Sequence, residues 1–542
     1  MITQITGSSY KSMLDYGIRN LEKYSRVVND LNVFPVPDGD TGTNMVMTLK
    51  NGYSSISDSA YSVSDVAKGF ANGVVFGARG NSGVITSQFF KGIYKGLDGC
   101  ESADAGEFSA ALDMGVKYAH AAVSKPVEGT ILTVIREASE IVRERLSEID
   151  SIDMLIEIFL ATARVSLENT PKLLPVLERA GVVDSGGAGI VYFFEGAKKY
   201  LDGEEIEAST ETVVQAESID YSVFSRSSNF EYGYCTELLL QLTDGKEEFE
   251  YDEFTSRLSQ LGDSVATSFD DDKVKVHVHT QKPEKVLKYC HFFGEFLTLK
   301  IENMSVQHTQ RSKKYLCAES DGDCNFAIVA VAPDPIVQEM FVEMGVDCCI
   351  LSAESPSSSE FIEAFEHTSS KEILVFPNTS NSILSAMQAA SLYKDAKITV
   401  LNCRSVAECY ASLAIIDFDC EDIDEIVAAV NETVRNIYLV SIVRATKNIN
   451  YGKKSITKND FFALAGDEIL VTGDRLENVA LITVRDVVKH RECSVLTLFC
   501  GKNTSKQQVD RLVCEMEDMD LGIEICVINT EDTIHDLTLS FE

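Results

Sequence analysis

Apolar residues before residue 200 recur at the spacing of one helical face. The first such stretch covers residues 9–31 and is carried by Leu14, Ile18, Leu21, Val28 and Leu31. The same spacing predicts further helices over residues 64–97 (with a glycine turn inside), 106–123, 131–147, 152–168 and 187–200. Alternation typical of strands is almost missing here, so residues 1–202 are predicted to form an all-α domain, a helical bundle or barrel.

A different pattern begins after residues 202–230, which are acidic, rich in Ser and Thr, and typical of a linker. Short strands are predicted over residues 237–242, 273–280 and 298–301, with a helix over 283–293. This mixture predicts a small α+β middle domain over residues 231–310.

The last part of the chain alternates short apolar runs with helical segments. Strands are predicted over residues 326–332, 348–351, 372–376 and 397–402, followed by further strands over 479–484, 494–499 and 523–528. Helices are predicted over residues 336–344, 358–367, 380–393 and 422–436. Such alternation favours a parallel sheet, so residues 325–542 are predicted to form an α/β domain.

Composition limits the classes of partner. The chain has 542 residues and a formal net charge of −36 at pH 7, which repels nucleic acids and disfavours a basic membrane anchor. The sequence shows no leader peptide and no apolar run of membrane-spanning length, so we expect a cytoplasmic protein without stable membrane insertion. The 14 cysteines are scattered and mostly have apolar neighbours, which favours reduced core thiols.

One segment combines carboxylates, glycines and hydroxyl side chains. Asp38 and Asp40 stand one residue apart and are followed by Thr41, Gly42, Thr43 and Asn44. Carboxylate oxygens suit Mg²⁺, and glycines let backbone N–H groups approach a phosphate. The same residue types also make ordinary capped turns, so the segment alone leaves both interpretations open.

Two more glycine-rich turns lead into apolar runs, at residues 77–83 and 184–189. Such a turn at a helix start directs free N–H groups and the positive end of the helix dipole at an anion. Neither a Walker A ending nor a strand before a dinucleotide fingerprint is present. Three such turns within one domain favour a magnesium–nucleotide site over three unrelated turns.

The middle domain carries a second candidate site. His277 and His279 stand two apart on a predicted strand, so their side chains share one face. They could share a Zn²⁺ with a thiolate from Cys235, or they could be half-exposed strand residues without a ligand.

These motifs resemble a known family. Residues 31–45 (LNVFPVPDGDTGTNM) and 77–85 (GARGNSGVI) resemble the kinase subunit of bacterial fatty acid kinase. The first domain is similar to the nucleotide-binding subunit of dihydroxyacetone kinase. The resemblance implies an eight-helix nucleotide-binding barrel, a small middle domain and an α/β carboxy-terminal domain. It also implies a homodimer that uses ATP to phosphorylate the carboxylate of a fatty acid on a separate fatty-acid-binding protein, giving acyl phosphate for phospholipid synthesis.

The resemblance also assigns roles to individual residues. Asp38 and Asp40 match the Mg²⁺ ligands, and Cys235, His277 and His279 match zinc ligands. Arg79 is a candidate to stabilise the transferring phosphate, or to brace its glycine loop. The residues that match the nucleotide-contacting positions are Thr41, Gly42, Thr43, Asn44, Ser82, Gly83, Gly129, Arg179, Asp184, Ser185 and Gly186.

The chain departs from the expected pattern at several places. Val33 stands where dihydroxyacetone kinase has a third Mg²⁺-binding aspartate. Residues 352–359 replace a Gln-rich motif, and a Gly-Gly-Gln element near residues 529–532 is missing. Two alternatives therefore stay open: a kinase acting on a small hydroxylated metabolite, and a non-catalytic nucleotide-dependent scaffold.

Overall fold

The computed structural model describes most of the chain in two compact units. The first unit contains residues 1–209 and 316–542, and the second contains residues 210–315. The described residues are 2–32, 39–57, 59–123, 125–205, 234–243, 249–270, 273–303, 314–318, 325–418, 420, 422–445, 448–451, 454–466, 468–533 and 535–542. Within these ranges, no helix is both long enough and apolar enough to cross a membrane.

The amino-terminal part of the first unit is helical. Two short strands, β1 (Gln4–Ile5) and β2 (Ala103–Asp104), pair antiparallel, and residues 146–148 form a 3₁₀ turn. The helices are α1 (Gly7–Lys23), α2 (Ser25–Leu31), α3 (Thr41–Ser54), α4 (Val63–Phe76), α5 (Gly80–Gly96), α6 (Ala105–Ala121), α7 (Ile131–Glu144), α8 (Ile152–Leu173), α9 (Pro175–Ala180) and α10 (Ser185–Asp202). The helical character of this part is confirmed, and the eight-helix barrel stays a prediction.

Capped helix starts and a single apolar core explain why this part of the chain folds into packed helices. Thr6, Ser62 and Asp104 each form a capping box at the start of a helix, which satisfies backbone N–H groups that otherwise lack partners. One core cluster runs through the whole helical part, and Phe90 and Phe193 meet edge to face in it, with ring centroids 5.2 Å apart.

The second unit contains one antiparallel sheet and two helices among its described residues. The strands lie in the order β4, β5, β3, β6. The helices supply buried apolar residues to the sheet's core, including Phe254 and Val286. The elements are β3 (Tyr234–Leu242), α11 (Tyr251–Leu258), β4 (Asp263–Asp270), β5 (Lys273–Thr280), α12 (Pro283–Cys290) and β6 (Gly294–Asn303).

The carboxy-terminal part begins with a five-stranded sheet in the order β11, β10, β8, β9, β7. Strands β8 to β11 are parallel, as their separation by helices predicts. The strands are β7 (Tyr315–Cys317), β8 (Ala327–Ala332), β9 (Cys348–Leu351), β10 (Glu372–Phe376) and β11 (Lys397–Val400). The helices are α13 (Pro335–Glu343), α14 (Ser358–Glu366), α15 (Ser380–Leu392), α16 (Val406–Ala414) and α17 (Ile423–Asn436).

A second sheet of six strands follows, in the order β16, β15, β12, β19, β17, β18. It is mixed, because β17 pairs parallel with β18 while the other pairs are antiparallel. Its elements are β12 (Tyr438–Arg444), β15 (Phe461–Ala465), β16 (Glu468–Gly473), α18 (Leu476–His490), β17 (Val495–Cys500), α19 (Lys506–Glu517), β18 (Glu524–Asn529) and β19 (Leu537–Phe541), with a hairpin of β13 (Ile449–Tyr451) and β14 (Lys454–Ile456).

One predicted strand is wrong. Residues 479–484 belong to helix α18, whose buried residues include Val479, Ala480, Thr483, Val484 and Val487. These positions repeat at helical spacing, so the apolar face of a helix reads as a strand when only six residues are considered.

Candidate active site

The amino termini of three helices meet at one end of the helical part. Ser185, the first residue of α10, and Thr41, the first residue of α3, place their side-chain oxygens 3.2 Å apart. A Cβ added to Gly186 would lie 3.2 Å from the Cβ of Ile131, the first residue of α7. The starts of α3, α7 and α10 are therefore neighbours.

The start of α5 joins the same group. Gly80 has a positive φ of 59°, and a Cβ there would lie 2.7 Å from Asn44 Nδ2 in the first turn of α3. A Cβ on Gly83 would lie 2.5 Å from Thr48 Oγ1, so glycine is needed at both positions for this approach. Asn44 Oδ1 is buried and has no hydrogen-bond partner among the described residues. Four helix dipoles thus direct their positive ends at one region, which favours binding of an anion.

Asp184 joins two of these helices. Its carboxylate accepts hydrogen bonds from the backbone N–H of Gly187, at 2.7 Å, and of Ile131. Its own N–H donates to Thr170 Oγ1, at 3.1 Å. Burial raises the pKa of Asp184 to about 6, against the opposing effect of the two backbone hydrogen bonds. The predicted residues Asp184, Ser185 and Gly186 therefore lie beside Thr41.

Asp40 stands at the start of α3. It is half-buried, its backbone carbonyl accepts a hydrogen bond from Asn44 N–H at 2.8 Å, and Gly39 before it has a φ of 54°. Asp38, the other predicted Mg²⁺ ligand, lies outside the described residues. The spacing of the two carboxylates is therefore still a prediction.

Asn29 is a residue of this site that the sequence did not reveal. From helix α2, its Oδ1 accepts hydrogen bonds from the N–H groups of Gly42 (2.7 Å) and Thr43 (3.2 Å), and its Nδ2 donates to Thr43 Oγ1 (3.0 Å). It thus caps α3 from another helix. No local motif marks such a role, because the cap lies 13 residues before Gly42.

Arg79 faces the carboxy-terminal part of the chain. Its guanidinium pairs with Glu360, with Nη1 3.0 Å from Oε2 and Nη2 3.3 Å from Oε1. Its Nη1 also donates to the carbonyl of Ser355 at 3.4 Å. This geometry favours the bracing role over contact with a transferring phosphate.

A cavity of about 710 Å³ lies between Asp40 and the carboxy-terminal part. The helical wall is formed by Asn29, Gly39, Asp40 and Thr43, and the opposite wall includes Asn378, Thr379, Arg404, Asp532 and His535. Asp532 and His535 are hydrogen-bonded to each other, with Oδ2 2.7 Å from Nδ1. The predicted site therefore opens toward polar groups of both parts of the first unit.

The remaining predicted residues occupy different positions. Gly129 has a φ of 82°, and its N–H donates to Thr133 Oγ1 at 2.9 Å. Ser82 is half-buried and Gly83 is buried in the first turn of α5. Arg179 belongs to α9, and its side chain lies outside the described residues.

The donor set fits a magnesium–nucleotide complex. The carboxylate of Asp40 and the hydroxyl of Thr43 are hard oxygen donors on the cavity wall, which suit Mg²⁺. The four converging helix starts supply positive potential for phosphate. Asn44 supplies a buried acceptor oxygen that has no partner in the described part of the chain.

The predicted zinc site has only partial backbone support. Strand pairing sets Cys235 opposite His279 and Glu237 opposite His277. The side chains of these four residues lie outside the described part. Among the residues whose side chains are described, which exclude these four, no group of three His, Cys, Asp or Glu could hold a metal ion. Nothing in the described part supports zinc, and this site stays a prediction.

Several solved structures resemble parts of this chain weakly. A DegV family protein from Thermus thermophilus, described as fatty-acid-binding, is 11% identical, covers 40% of this chain and 99% of its own, and has a TM-score of 0.32. The Fak B3 protein of Streptococcus pneumoniae, loaded with linoleic acid, is 15% identical with coverages of 40% and 99% and a TM-score of 0.29. The dihydroxyacetone kinase from C. freundii, in complex with AMP-PNP and Mg²⁺, is 14% identical with coverages of 37% and 35% and a TM-score of 0.28. These TM-scores are too low to bear on function.

Sequence relatives match over the whole chain. Two proteins of Staphylococcus aureus, from strains bovine RF122 / ET3-1 and USA300, are each 32% identical over 552 residues, with all of both chains covered. Three domain families match in succession: the DAK2 domain at residues 35–199, the FakA-like middle domain of fatty acid kinases at 231–311, and the FakA-like C-terminal domain at 327–542. The chain therefore belongs to the FakA-like fatty acid kinase family, with a helical DAK2 domain, a middle domain and an α/β carboxy-terminal domain.

Proposed function

We propose that this chain is an ATP-dependent kinase that phosphorylates the carboxylate of a fatty acid presented by a separate fatty-acid-binding protein. The product would be an acyl phosphate that feeds phospholipid synthesis. The observation that carries the proposal is the convergence of four helix amino termini beside Asp40, in a chain of the FakA-like fatty acid kinase family.

The roles of the predicted residues follow from this arrangement. Asp38 and Asp40 would hold Mg²⁺, which neutralises phosphate charge when it is bound. Backbone and hydroxyl groups at the starts of α3 and α5 would bind phosphate oxygens, and those at the start of α10 would line the nucleotide. The residues assigned to these contacts are Thr41, Gly42, Thr43, Asn44, Ser82, Gly83, Gly129, Arg179, Asp184, Ser185 and Gly186.

A carboxylate acceptor explains the lack of a histidine base in the motifs. A fatty acid is already ionised at neutral pH, so its oxygen can attack without losing a proton. The protein then has to position the two reactants and stabilise charge, which is the main requirement of phosphoryl transfer.

The three domains would divide this work. We propose that residues 1–202 bind ATP and Mg²⁺, that residues 231–310 hold zinc through Cys235, His277 and His279, and that residues 325–542 form the α/β domain. A homodimer in the cytoplasm, with the acyl-carrying protein as its partner, completes the proposal.

Asp40→Asn tests the kinase site. We expect turnover to fall by about 10²–10³-fold, because one negatively charged oxygen donor to Mg²⁺ is lost at the site of charge stabilisation. The measurement is ADP release by the full chain with MgATP and a fatty-acid-loaded binding protein. Asp98→Asn, on the exposed surface beside Lys95, is the matched control and should keep its turnover. Unchanged acyl-phosphate formation by Asp40→Asn would rule out this mechanism.

The acceptor is tested separately. ATP turnover should require both the fatty acid and its binding protein, and it should fall to background with either one omitted. Turnover with a small hydroxylated metabolite alone would favour the metabolite kinase. Nucleotide binding without any turnover would favour the scaffold.

Metal analysis tests the zinc site. We expect about one zinc per chain, lost in Cys235→Ala and in His277→Ala because three ligands bind more tightly than two. Cys514→Ala removes an exposed thiol and is the control. Undiminished zinc in the first two variants would exclude these ligands.

A further inference from the structure

We propose that Glu360 is a positioning residue for the kinase reaction. Through Arg79, Glu360 would hold the glycine loop of residues 77–83 in its nucleotide-binding position. This inference rests on the proposed function. It adds that nucleotide binding requires the carboxy-terminal domain, which contains none of the amino-terminal motifs.

The ion pair between Arg79 and Glu360 has a defined geometry. Two guanidinium nitrogens face the two carboxylate oxygens at 3.0 and 3.3 Å, and the side chains are only 19% and 10% exposed. A shielded bidentate pair is screened less by water and salt than a surface pair, and it fixes orientation as well as distance.

Glu360 is also held in place by hydrogen bonds at the start of its own helix. Its Oε2 accepts a hydrogen bond from Ser357 N–H at 2.5 Å, and its own N–H donates to Ser357 Oγ at 3.3 Å. This is the capping box at the start of α14. The carboxylate is therefore part of the rigid start of a helix and not a flexible surface side chain.

The backbone of the loop is attached to the same helix start. Arg79 and Ser357 form an isolated antiparallel bridge, and the N–H of Ser358 donates to the carbonyl of Ala78 at 3.2 Å. On the other side, the N–H of Arg79 donates to Thr48 Oγ1 in α3, at 3.2 Å. The loop is thus fixed between the carboxy-terminal domain and the helix that carries the phosphate-binding turn.

Helix α15 contacts the elements on both sides of the loop. Gln388 Nε2 donates to the carbonyl of Val75 at 2.5 Å, and Gln88 Nε2 donates to Gln388 Oε1 at 2.7 Å. Asn81 Nδ2 donates to Asn381 Oδ1 at 3.0 Å. The two ends of the loop and its centre are therefore all attached to one domain.

Loss of Glu360 would act on the site through this attachment. Arg79 would be left shielded from water without its carboxylate, so the loop would shift to hydrate the guanidinium. Gly80 is packed against Asn44, so a shift of the loop changes the spacing between the starts of α5 and α3. Misplacement of about 1 Å in a site of this kind can cost on the order of 10²-fold in rate.

The experiment compares Glu360→Gln, Arg79→Gln and the double variant in the full chain. We expect kcat/KM for MgATP to fall about 10–100-fold in Glu360→Gln, with a weaker equilibrium affinity for MgATP. The double variant should lose no more than Arg79→Gln alone, because both changes break one interaction. Glu372→Gln, which removes an exposed pair with Lys397 in the same domain, should keep normal kinetics.

Each outcome decides the proposal. MgATP affinity and turnover of Glu360→Gln within about twofold of the parent, together with an inactive Asp40→Asn, would overturn the positioning role and leave the kinase proposal standing. An active Asp40→Asn would overturn the kinase proposal itself. If the losses of the two single variants add up in the double variant, Glu360 does not act through Arg79. If Glu360→Gln does not fold, Arg79→Gln replaces it, because it breaks the same ion pair, and MgATP affinity and turnover of that variant within about twofold of the parent would overturn the proposal.

Discussion

Two glycine-rich turns are held in this protein in different ways. The turn at the start of α3 is capped by Asn29, which lies in the same helical domain 13 residues earlier. The turn at the start of α5 is attached to Glu360, which lies in another domain 281 residues later. Both turns face the same region, so the proposed phosphate-binding site depends on a local contact and on a contact between domains.

The two kinds of contact affect different properties of the protein, its folding and the position of the glycine loop. A cap within the helical domain stabilises that domain whether or not the rest of the chain is docked. A contact with the carboxy-terminal domain mainly determines where the loop stands. Variants that remove a contact within the helical domain should therefore lower stability. Variants that remove a contact with the carboxy-terminal domain should lower affinity for MgATP while the helices remain folded.

Among the contacts within the helical domain, we expect those of Asp184 to have the largest effect on stability. Its pKa rises from 3.8 to about 6 on folding, so the folded state binds the proton more tightly than the unfolded state. Its contribution to stability is therefore complete below about pH 4 and is lost as the pH rises through about 6. The size of the shift corresponds to on the order of 3 kcal/mol.

Asp184→Asn tests this pH dependence. The stability advantage of the parent over the variant should shrink by on the order of 3 kcal/mol between about pH 4 and about pH 7, measured by urea unfolding of the helical CD signal. Asp104→Asn, in the exposed cap of α6, controls for the loss of an aspartate cap. A constant difference between parent and Asp184→Asn would contradict the raised pKa.

Asn29→Ala tests the cap of α3. Removing Asn29 leaves the N–H groups of Gly42 and Thr43 without their acceptor, which should cost about 1–2 kcal/mol of stability. Urea unfolding measures the loss. Asn169→Ala, whose side chain accepts only from the exposed Lys172 among the described contacts, is the control. If Asn29→Ala weakened MgATP binding strongly without lowering stability, Asn29 would be a nucleotide contact and not a cap.

The local contacts of this protein could largely be read from its sequence. Helical spacing predicted the helical part, and strand–helix alternation predicted the parallel strands β8 to β11, because each signal lies within one or two elements. Strand β4 and helix α16 are among the elements that were missed. Ser264 and Thr267 interrupt the apolar pattern of β4, and the buried face of α16 consists largely of small residues, Ala407, Cys409, Ala411 and Ser412. Residues 479–484 were wrongly predicted as a strand for the opposite reason, because the apolar residues of a helix face follow one another closely there.

The partners of the glycine turns could not be predicted in the same way. Asp40, Thr41 and Ser185 were recognised by residue type and motif, and the structure brings Thr41 and Ser185 together. Asn29 has no motif, and the capping box of Ser357 and Glu360 marks a helix start but not the pairing with Arg79. Both roles depend on tertiary contacts that bring distant segments together. The sequence therefore suggested which residues face a nucleotide, and the fold was needed to find which residues hold them.

The smallest expected effect concerns the single hydrogen bond between Asn81 and Asn381. Asn81→Ala and Asn381→Ala each remove this one neutral bond across the domains, worth about 1 kcal/mol. We expect KM for MgATP to rise by up to about fivefold in either variant, and the rise in the double variant should be smaller than the product of the two single effects. Steady-state kinetics at saturating acyl carrier measure the change. A much larger effect of Asn81→Ala than of Asn381→Ala would mean that Asn81 contacts the nucleotide directly. The side chain of Asn81 would then bind phosphate and would not serve mainly to attach the loop to the carboxy-terminal domain.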